Sequence, residues 1–224
     1  MNRLPGAVLR HLAALRALIV FTVICGIAYP LLVTGIAQAA FTSQADGSLI
    51  TNGKGQTVGS KLLCQEFTDA KGNPLAQYFQ PRPSNARISS TQSAGSTGDY
   101  GCDPAQSAGS NLGPNSDKLA GNIAALRKSM AAFDSVDGYT VSAEQVATDA
   151  VTASGSGLDP QISVLNAQQQ EHRIAATRGI SVAQVDALVK ANTGGRDLGI
   201  LGEPGVNVLQ LNLALDAQYP YSAK

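Results

Sequence analysis

The chain has 224 residues, 16 basic and 16 acidic side chains, no tryptophan and no net charge. Arg3, Arg10 and Arg16 precede a long apolar stretch that no acidic residue precedes, which leaves 13 basic against 16 acidic groups, a net of −3, in the remainder. That balance excludes the positive footprint that nucleic-acid binding needs, and the about 180 residues beyond the apolar stretch suffice for one medium domain with its own core.

Residues 17–41 carry no charge, and the next charged residue is Asp46. An α-helix rises about 1.5 Å per residue, so about 20 apolar residues cross a hydrocarbon layer. The pattern predicts a transmembrane helix over 17–41. The arginines on its N-terminal side predict a cytoplasmic flank, 1–16, and place 42–224 outside the cytoplasm. A cleaved signal peptide competes, because Ala37-Gln38-Ala39 has the small-x-small pattern of a cleavage site. The apolar region, however, exceeds the about 7–15 residues of a signal core, and Leu31-Leu32-Val33 continues it past Pro30. Thr22, Gly26, Pro30, Thr34 and Gln38 recur every four residues as a row of small or polar groups. Such rows let membrane helices approach closely and hydrogen-bond, so the helix reads as a retained anchor. Pro30, which removes a backbone donor, is expected to bend it.

Residues 44–59 read as a juxtamembrane segment with a short strand and turns. Leu62, Leu63 and Phe67 open the folded domain, and Gly72-Asn73-Pro74 is a turn. After Tyr78-Phe79, the two prolines of Gln80-Pro81-Arg82-Pro83-Ser84 enforce extended backbone. Residues 88–114 hold almost no large apolar side chain and read as one long polar loop. A helix begins at Ser116, where Leu119, Ile123, Leu126, Met130 and Phe133 form one apolar stripe and Asp117 suits the N-terminal dipole. Ser142 to Gln145 is a capping box, predicting a short helix. Residues 151–157 read as a strand end running into a turn. Asp159-Pro160 suits a helix start, 163–178 is helical in composition, and Gly179 can stop it. A second capping box, Ser181 to Gln184, opens a helix with Val182, Val185, Leu188 and Val189 facing inward. In 206–215, leucines alternate as in a strand, yet Val208, Leu211 and Leu215 fit a helix capped by Asn207; the cap and the leucines favour the helix. Together these elements describe an α+β fold: one N-terminal transmembrane helix, then a single extracytoplasmic domain.

Of three cysteines, Cys25 lies in the apolar span as a small filler. Cys64 and Cys102 fall in the exported part, where they can pair or remain thiols. Catalytic signatures are missing. Gly53-Lys54 is followed by Gly55, so there is no phosphate-binding loop, and no calcium loop or nucleophile elbow occurs. His11 and His172 are the only histidines and form no metal set. The Gly-rich turn at 154–159 reads as a tight turn capped by Asp159 rather than an anion site. Arg82, held between prolines, is a rigidly presented cation for a carboxylate of a partner or of its own domain. No catalytic, cofactor or metal residue is assigned, which favours a subunit or binding module over an enzyme. A secreted or anchored extracytoplasmic binding protein or hydrolase is the alternative.

Several stretches identify a family. Gly26-Ile27-Ala28-Tyr29-Pro30-Leu31-Leu32-Val33-Thr34-Gly35-Ile36-Ala37-Gln38 and Gln44-Ala45-Asp46-Gly47-Ser48-Leu49-Ile50 come first. Arg82-Pro83-Ser84 and Ser110-Asn111-Leu112-Gly113-Pro114 follow. Val151-Thr152-Ala153-Ser154-Gly155-Ser156-Gly157-Leu158-Asp159-Pro160, Gly202-Glu203-Pro204 and Leu211-Asn212-Leu213-Ala214-Leu215-Asp216 complete them. The chain resembles the C subunit of the bacterial Kdp-type potassium-transporting ATPase over nearly its whole length. The resemblance implies a complex with a potassium-translocating A subunit, an ATP-hydrolysing P-type B subunit and a small F subunit, embedded in lipid. ATP and potassium belong to that complex. It implies a catalytic chaperone that raises the ATP affinity of the B subunit. The expected topology puts only the first 16 residues on the ATP side, so stabilising the assembly or covering the outer mouth of the potassium path fits it better than direct nucleotide contact. The row Thr22, Gly26, Pro30, Thr34 and Gln38 is the expected membrane-helix packing face, and Arg82, Ser84, Asn111, Gly155, Gly157 and Asp159 are candidate subunit contacts. Cys64, where similar proteins have Gly, the longer spacer Leu75-Ala76-Gln77, Asn85 and Gly101-Cys102-Asp103-Pro104 depart from the family pattern.

Overall fold

The computed structural model describes residues 5–86, 102–196 and 198–222, and the chain divides into two compact units, residues 1–49 and 50–224. The first unit is one continuous helix followed by a short one. Helix α1 (Gly6–Phe21) passes into a π-helical stretch, Thr22–Ala28, and then α2 (Tyr29–Ala40); α3 (Thr42–Ala45) follows. The uninterrupted span Gly6–Ala40 is 35 residues long, and its most apolar window has no residue buried within the protein. It starts well before the apolar stretch because Leu9, Leu12, Ala13, Ala14 and Leu15 are strong helix formers. Pro30 does not end the helix. A proline ring clashes with the carbonyl four residues earlier, here that of Gly26, and the widened turn ahead of Pro30 is the way the helix makes room for it.

The second unit opens within β1 (Leu49–Thr51), which pairs with β2 (Thr57–Ser60). A long stretch without regular structure leads to α4 (Asp117–Asp134), capped by Ser116, whose side chain accepts from Leu119 N. Then come α5 (Thr148–Val151), β3 (Gln161–Ser163), α6 (Val164–Arg178), α7 (Val182–Ala191), β4 (Thr193–Gly194), β5 (Gly205–Asn207) and α8 (Val208–Gln218). The sheet has the antiparallel order β3-β5-β4, with Val206 opposite both Ile162 and Thr193. The mixture of helices and a small antiparallel sheet is the expected α+β class.

Two apolar clusters fill the domain. Phe79, Ile162, Ile174, Val185, Leu188, Val189, Val206, Leu211 and Leu215 join α6, α7, α8 and the sheet. Leu126, Met130, Val141, Val146, Ala150 and Val151 join α4 to α5. The second capping box forms in full at Ser181 and Gln184, and Gly179 closes α6 at φ 69°. The 206–215 stretch is both alternatives in turn. Its first residues complete β5, and Asn207 then caps α8 by accepting from Gln210 N.

Three local expectations fail for identifiable reasons. At Ser142 the chain makes only a turn. Gln145 Oε1 accepts from Ser142 N, but Ala147 N is drawn to Gln169 Oε1 on α6, which stops the helix before it propagates. Of the expected strand end and turn at 151–157, Val151 instead closes the helical turn Thr148–Val151, and 152–157 form bends with no strand. Asp159 is not the cap of α6. That helix starts at Ser163, whose hydroxyl accepts from Asn166 N, while Asp149 on α5 accepts from Ser163 N, Ser163 Oγ and Asn166 Nδ2. A carboxylate at that helix end satisfies free donors and complements the dipole. Of the expected loop 88–114, residues 88–101 lie outside the described residues. Residues 102–114 form no helix or strand and are tied down by Asp103 N to Ala86 O and Ala108 N to Ser156 O.

Candidate functional site

The membrane row lies on the continuous helix. In an α-helix of 3.6 residues per turn, each four-residue step rotates the row forward by about 40°. The wider π turn at Thr22–Ala28 rotates it back, so Thr22, Gly26 and Pro30 stay closer to one line. The Thr22 methyl lies 3.8 Å from the position a Gly26 Cβ would take, so the notch at Gly26 is bordered by that methyl. Gln38 Nε2 donates to Asp46 Oδ1 at 3.0 Å and its carbonyl accepts from Thr42 Oγ1, so this end of the row is engaged with the chain leaving the helix.

The other candidate residues meet at a knot of loops in the second unit. The extended segment after Tyr78 is held by side chains instead of by a strand. Asn212 on α8 accepts from Phe79 N and donates to Phe79 O, and Gln170 on α6 does the same at Gln80. Pro81 and Pro83 then keep the chain extended through Arg82. Its Nη1 meets Asp159 Oδ2 at 2.7 Å and its Nη2 the Thr152 carbonyl. Arg82 thus finds its carboxylate within its own domain, and both groups keep part of their surface in water. Ser84 is buried; its hydroxyl donates to Gly157 O at 2.7 Å and accepts from Ala86 N. Ser154 N donates to Pro83 O, and Cys64 N to Leu158 O. Gly157 sits at φ 74°, and a Cβ there would meet Ala108 O at 2.6 Å and Ala86 Cβ at 2.9 Å. Only glycine combines that backbone angle with that approach. Gly155 and Asn111 (φ 53°) are exposed. Of the six candidates, then, Ser84 and Gly157 are internal to the knot, Arg82 and Asp159 close it, and Gly155 and Asn111 face outward.

Cys64 and Cys102 are joined as a disulfide with Cα atoms 6.2 Å apart, and both are buried beside the knot. The bond closes a loop carrying Arg82 and Ser84. Next to the knot a cavity of about 240 Å³ is lined by Ser84, Ser110, Leu112, Leu119, Ile123 and Thr152 among others. No group of three or more metal-ligating side chains occurs among the described residues.

Sequence reasoning missed a second polar centre, between α4 and α6. Arg173 is 2% exposed. Its Nε meets Asp134 Oδ1 at 2.9 Å, Nη2 meets Gln170 Oε1 at 2.7 Å, and Nη1 reaches the carbonyls of Ala76 and Tyr78. The guanidinium stands 4.3 Å over the Phe133 ring. Gln169 Nε2 supplies Asp134 with a further donor at 2.7 Å. The signal was present: Asn166, Gln169, Gln170 and Arg173 fall at the i, i+3, i+4, i+7 spacing of a buried helical face. His172 stacks on Tyr139 with ring centres 3.6 Å apart. Glu171 is also buried. Burial, with the Asp186 carboxylate on α7 adding repulsion, pushes its pKa up to about 7 against the pull of Lys190. Arg178 completes the picture by pairing with Asp216 at 2.8 Å and binding the Gln77 and Tyr219 carbonyls. These centres bind and orient chain segments; they present no nucleophile paired with a base.

The family described as "KdpC: K+-transporting ATPase, c chain" matches residues 11–217. The potassium-transporting ATPase KdpC subunit of Mycobacterium tuberculosis is 48% identical over 205 residues, 92% of this chain and 96% of that protein. The KdpC subunit of Caulobacter vibrioides is 45% identical over 214 residues, 95% of each chain. That of Caulobacter sp. strain K31 is 42% identical over 204 residues, 89% of each.

Proposed function

The chain belongs to the KdpC family of K+-transporting ATPase c chains, and from that premise we propose that it is a single-pass accessory subunit holding the potassium-translocating A, ATP-hydrolysing B and small F subunits in one working pump. Its N-terminus lies in the cytoplasm and residues 42–224 form the extracytoplasmic domain. The observation that carries this reading is the 35-residue helix Gly6–Ala40, whose uncharged stretch from residue 17 is long enough to cross a membrane and whose most apolar window is unburied by its own chain. A helix of that kind needs lipid or other helices around it. The row from Thr22 to Gln38 is its packing face toward the other subunits. Two observations support the orientation: Arg3, Arg10 and Arg16 all lie on the N-terminal side of the uncharged stretch 17–41, and the Cys64–Cys102 disulfide suits an oxidising compartment. The ATP affinity of the B subunit is raised through the membrane helices rather than by a nucleotide site on this chain. On the outer face, Gly155, Asn111 and the exposed edges of Arg82 and Asp159 contact the A subunit near the mouth of its path.

The test is deletion of this chain from cells that depend on the pump, followed by potassium uptake at micromolar external potassium. Uptake is expected to fail, and the A and B subunits to separate in mild detergent. Uptake that survives deletion refutes the reading.

A further inference from the structure

Buried polar groups are normally paired, so one that finds no partner in its own protein calls for an explanation. Gln80 is 2% exposed. Its Nε2 donates to the carbonyls of Phe67 and Leu75, both at 3.0 Å. Two carbonyls take the two amide hydrogens, which fixes the other end of the group as the oxygen. That oxygen, Oε1, is buried and accepts from no group of the protein.

Gln80 also lines a small void. The void measures about 10 Å³, and its wall includes Gln80, Met130 and Asp134 of α4, Ala150 of α5, and Asn166 and Gln170 of α6. All six residues are buried. One water molecule takes about 10–15 Å³ of such space. Cavities that stay dry are apolar, whereas those walled by amides and carboxylates hydrate.

Counting the donors and acceptors of that wall identifies the occupant. Gln170 is fully used. Its Nε2 donates to Gln80 O and Asn166 Oδ1, and its Oε1 accepts from Gln80 N and Arg173 Nη2. Asp134 takes one donor on each oxygen, Arg173 Nε on Oδ1 and Gln169 Nε2 on Oδ2, and each oxygen keeps a lone pair. Asn166 Nδ2 gives one hydrogen to Asp149 Oδ2 and keeps the other. The remaining capacity is two acceptors, Gln80 Oε1 and Asp134, and one donor, Asn166 Nδ2. A water molecule matches that set, since buried waters make about three hydrogen bonds. A cation does not. Hard cations take about six or more oxygens, and the charge of Asp134 is already matched by Arg173 at 2.9 Å.

We propose that one ordered water molecule occupies this void as a fixed part of the fold, donating to Gln80 Oε1 and Asp134 and accepting from Asn166 Nδ2. It ties the start of the extended segment to α4 and α6 at once. That segment runs on through Pro81 into Arg82 and Ser84, so the water helps set the position from which the knot of loops is built. The site stands independently of the accessory-subunit reading.

The test uses the full chain in detergent. A high-resolution crystal structure is expected to show one peak of density in the void, about 2.7–3.2 Å from Gln80 Oε1, Asp134 and Asn166 Nδ2. A void without density overturns the proposal. Crystals grown with rubidium as the only alkali cation separate water from a metal ion, because an anomalous peak in the void would mean a cation and overturn the proposal. In solution, chains with labelled Ala and Met methyl groups should show cross-relaxation from long-lived water to Ala150 and Met130. The buried Ala175, away from the void, should show none and serves as the control. No transfer to Ala150 and Met130 would mean that the crystal alone holds the water, which also overturns the proposal.

Discussion

Replacing Arg173 by Met keeps an apolar stem of similar bulk and removes the guanidinium, with its charge and every donor. Asp134 would then stay buried, with Gln169 Nε2 as its remaining side-chain donor. The carbonyl of Tyr78 and Gln170 Oε1 would lose the donors that Arg173 supplies. Breaking a buried pair from one side costs about 3–5 kcal/mol, because the partner charge is stranded. Gln170 Oε1 keeps Gln80 N as a donor, but a carbonyl left without one adds up to about 1–3 kcal/mol, a term that overlaps with the first rather than summing with it. A loss of about 4 kcal/mol is therefore expected. For a domain of this size it lowers the thermal midpoint by about 8–16 °C, at 2–4 °C per kcal/mol. Chemical denaturation of the full chain in detergent would measure it, alongside Asp134→Asn and the double variant. Because the two groups form one network, the double variant should be less damaging than the sum of the singles by about 2 kcal/mol. Additive losses, or a single-variant loss below about 1 kcal/mol, would refute the argument that this centre joins α4 to α6.

Four further outcomes follow from the same geometry. Gly157→Ala should lose about 2–4 kcal/mol, since the new methyl enters the space of Ala108 O and Ala86 Cβ at a left-handed φ; equilibrium unfolding would show it, and a neutral result would mean the knot is loose. Replacing both Cys64 and Cys102 by Ser should cost about 2–4 kcal/mol, as expected for a closed loop of 38 residues, and reductant should then have no further effect on the midpoint. Glu171 has a folded pKa raised to about 7 from 4.5, so the native state binds its proton more tightly than the unfolded state and stability falls as pH rises from about 4.5 to 7. Glu171→Gln should remove that part of the slope, on the order of 3 kcal/mol in all, in a pH series of denaturation midpoints. A cysteine in place of Ser110, with Cys64 and Cys102 replaced, should react with an impermeant maleimide in intact cells, and reaction only after lysis would reverse the topology.

The elements legible in the sequence are those whose signals are local. Ser181 with Gln184 announces α7, Asn207 announces α8 and Gly179 ends α6, because each satisfies backbone groups within one turn of itself. The Ser142 box carries the same local signal and fails, because Gln169, 22 positions or more along the chain, takes the next free donor. The candidate contacts divide in the same way. Arg82 was recognisable as a rigidly held cation, but its choice of Asp159 over a partner depends on a loop 77 residues away. Ser84 and Gly157 carry the family resemblance because they build the knot from inside. Arg173 escaped notice because charge argues for the surface until the whole polar stripe of α6 is read together.

The pairing of Phe79 and Gln80 with side chains of α8 and α6 has a consequence for how the protein is made. Phe79 waits for Asn212, 133 residues later, Tyr78 for Asp216 and Arg178 for Tyr219 and Asp216. The segment Tyr78–Gln80 thus completes its hydrogen bonds with α6 and α8, 90 or more residues further along the chain. Until α8 is in place, the polar backbone groups of Phe79 lack the side chain of Asn212 that satisfies them, so this segment and the last helix are expected to order together.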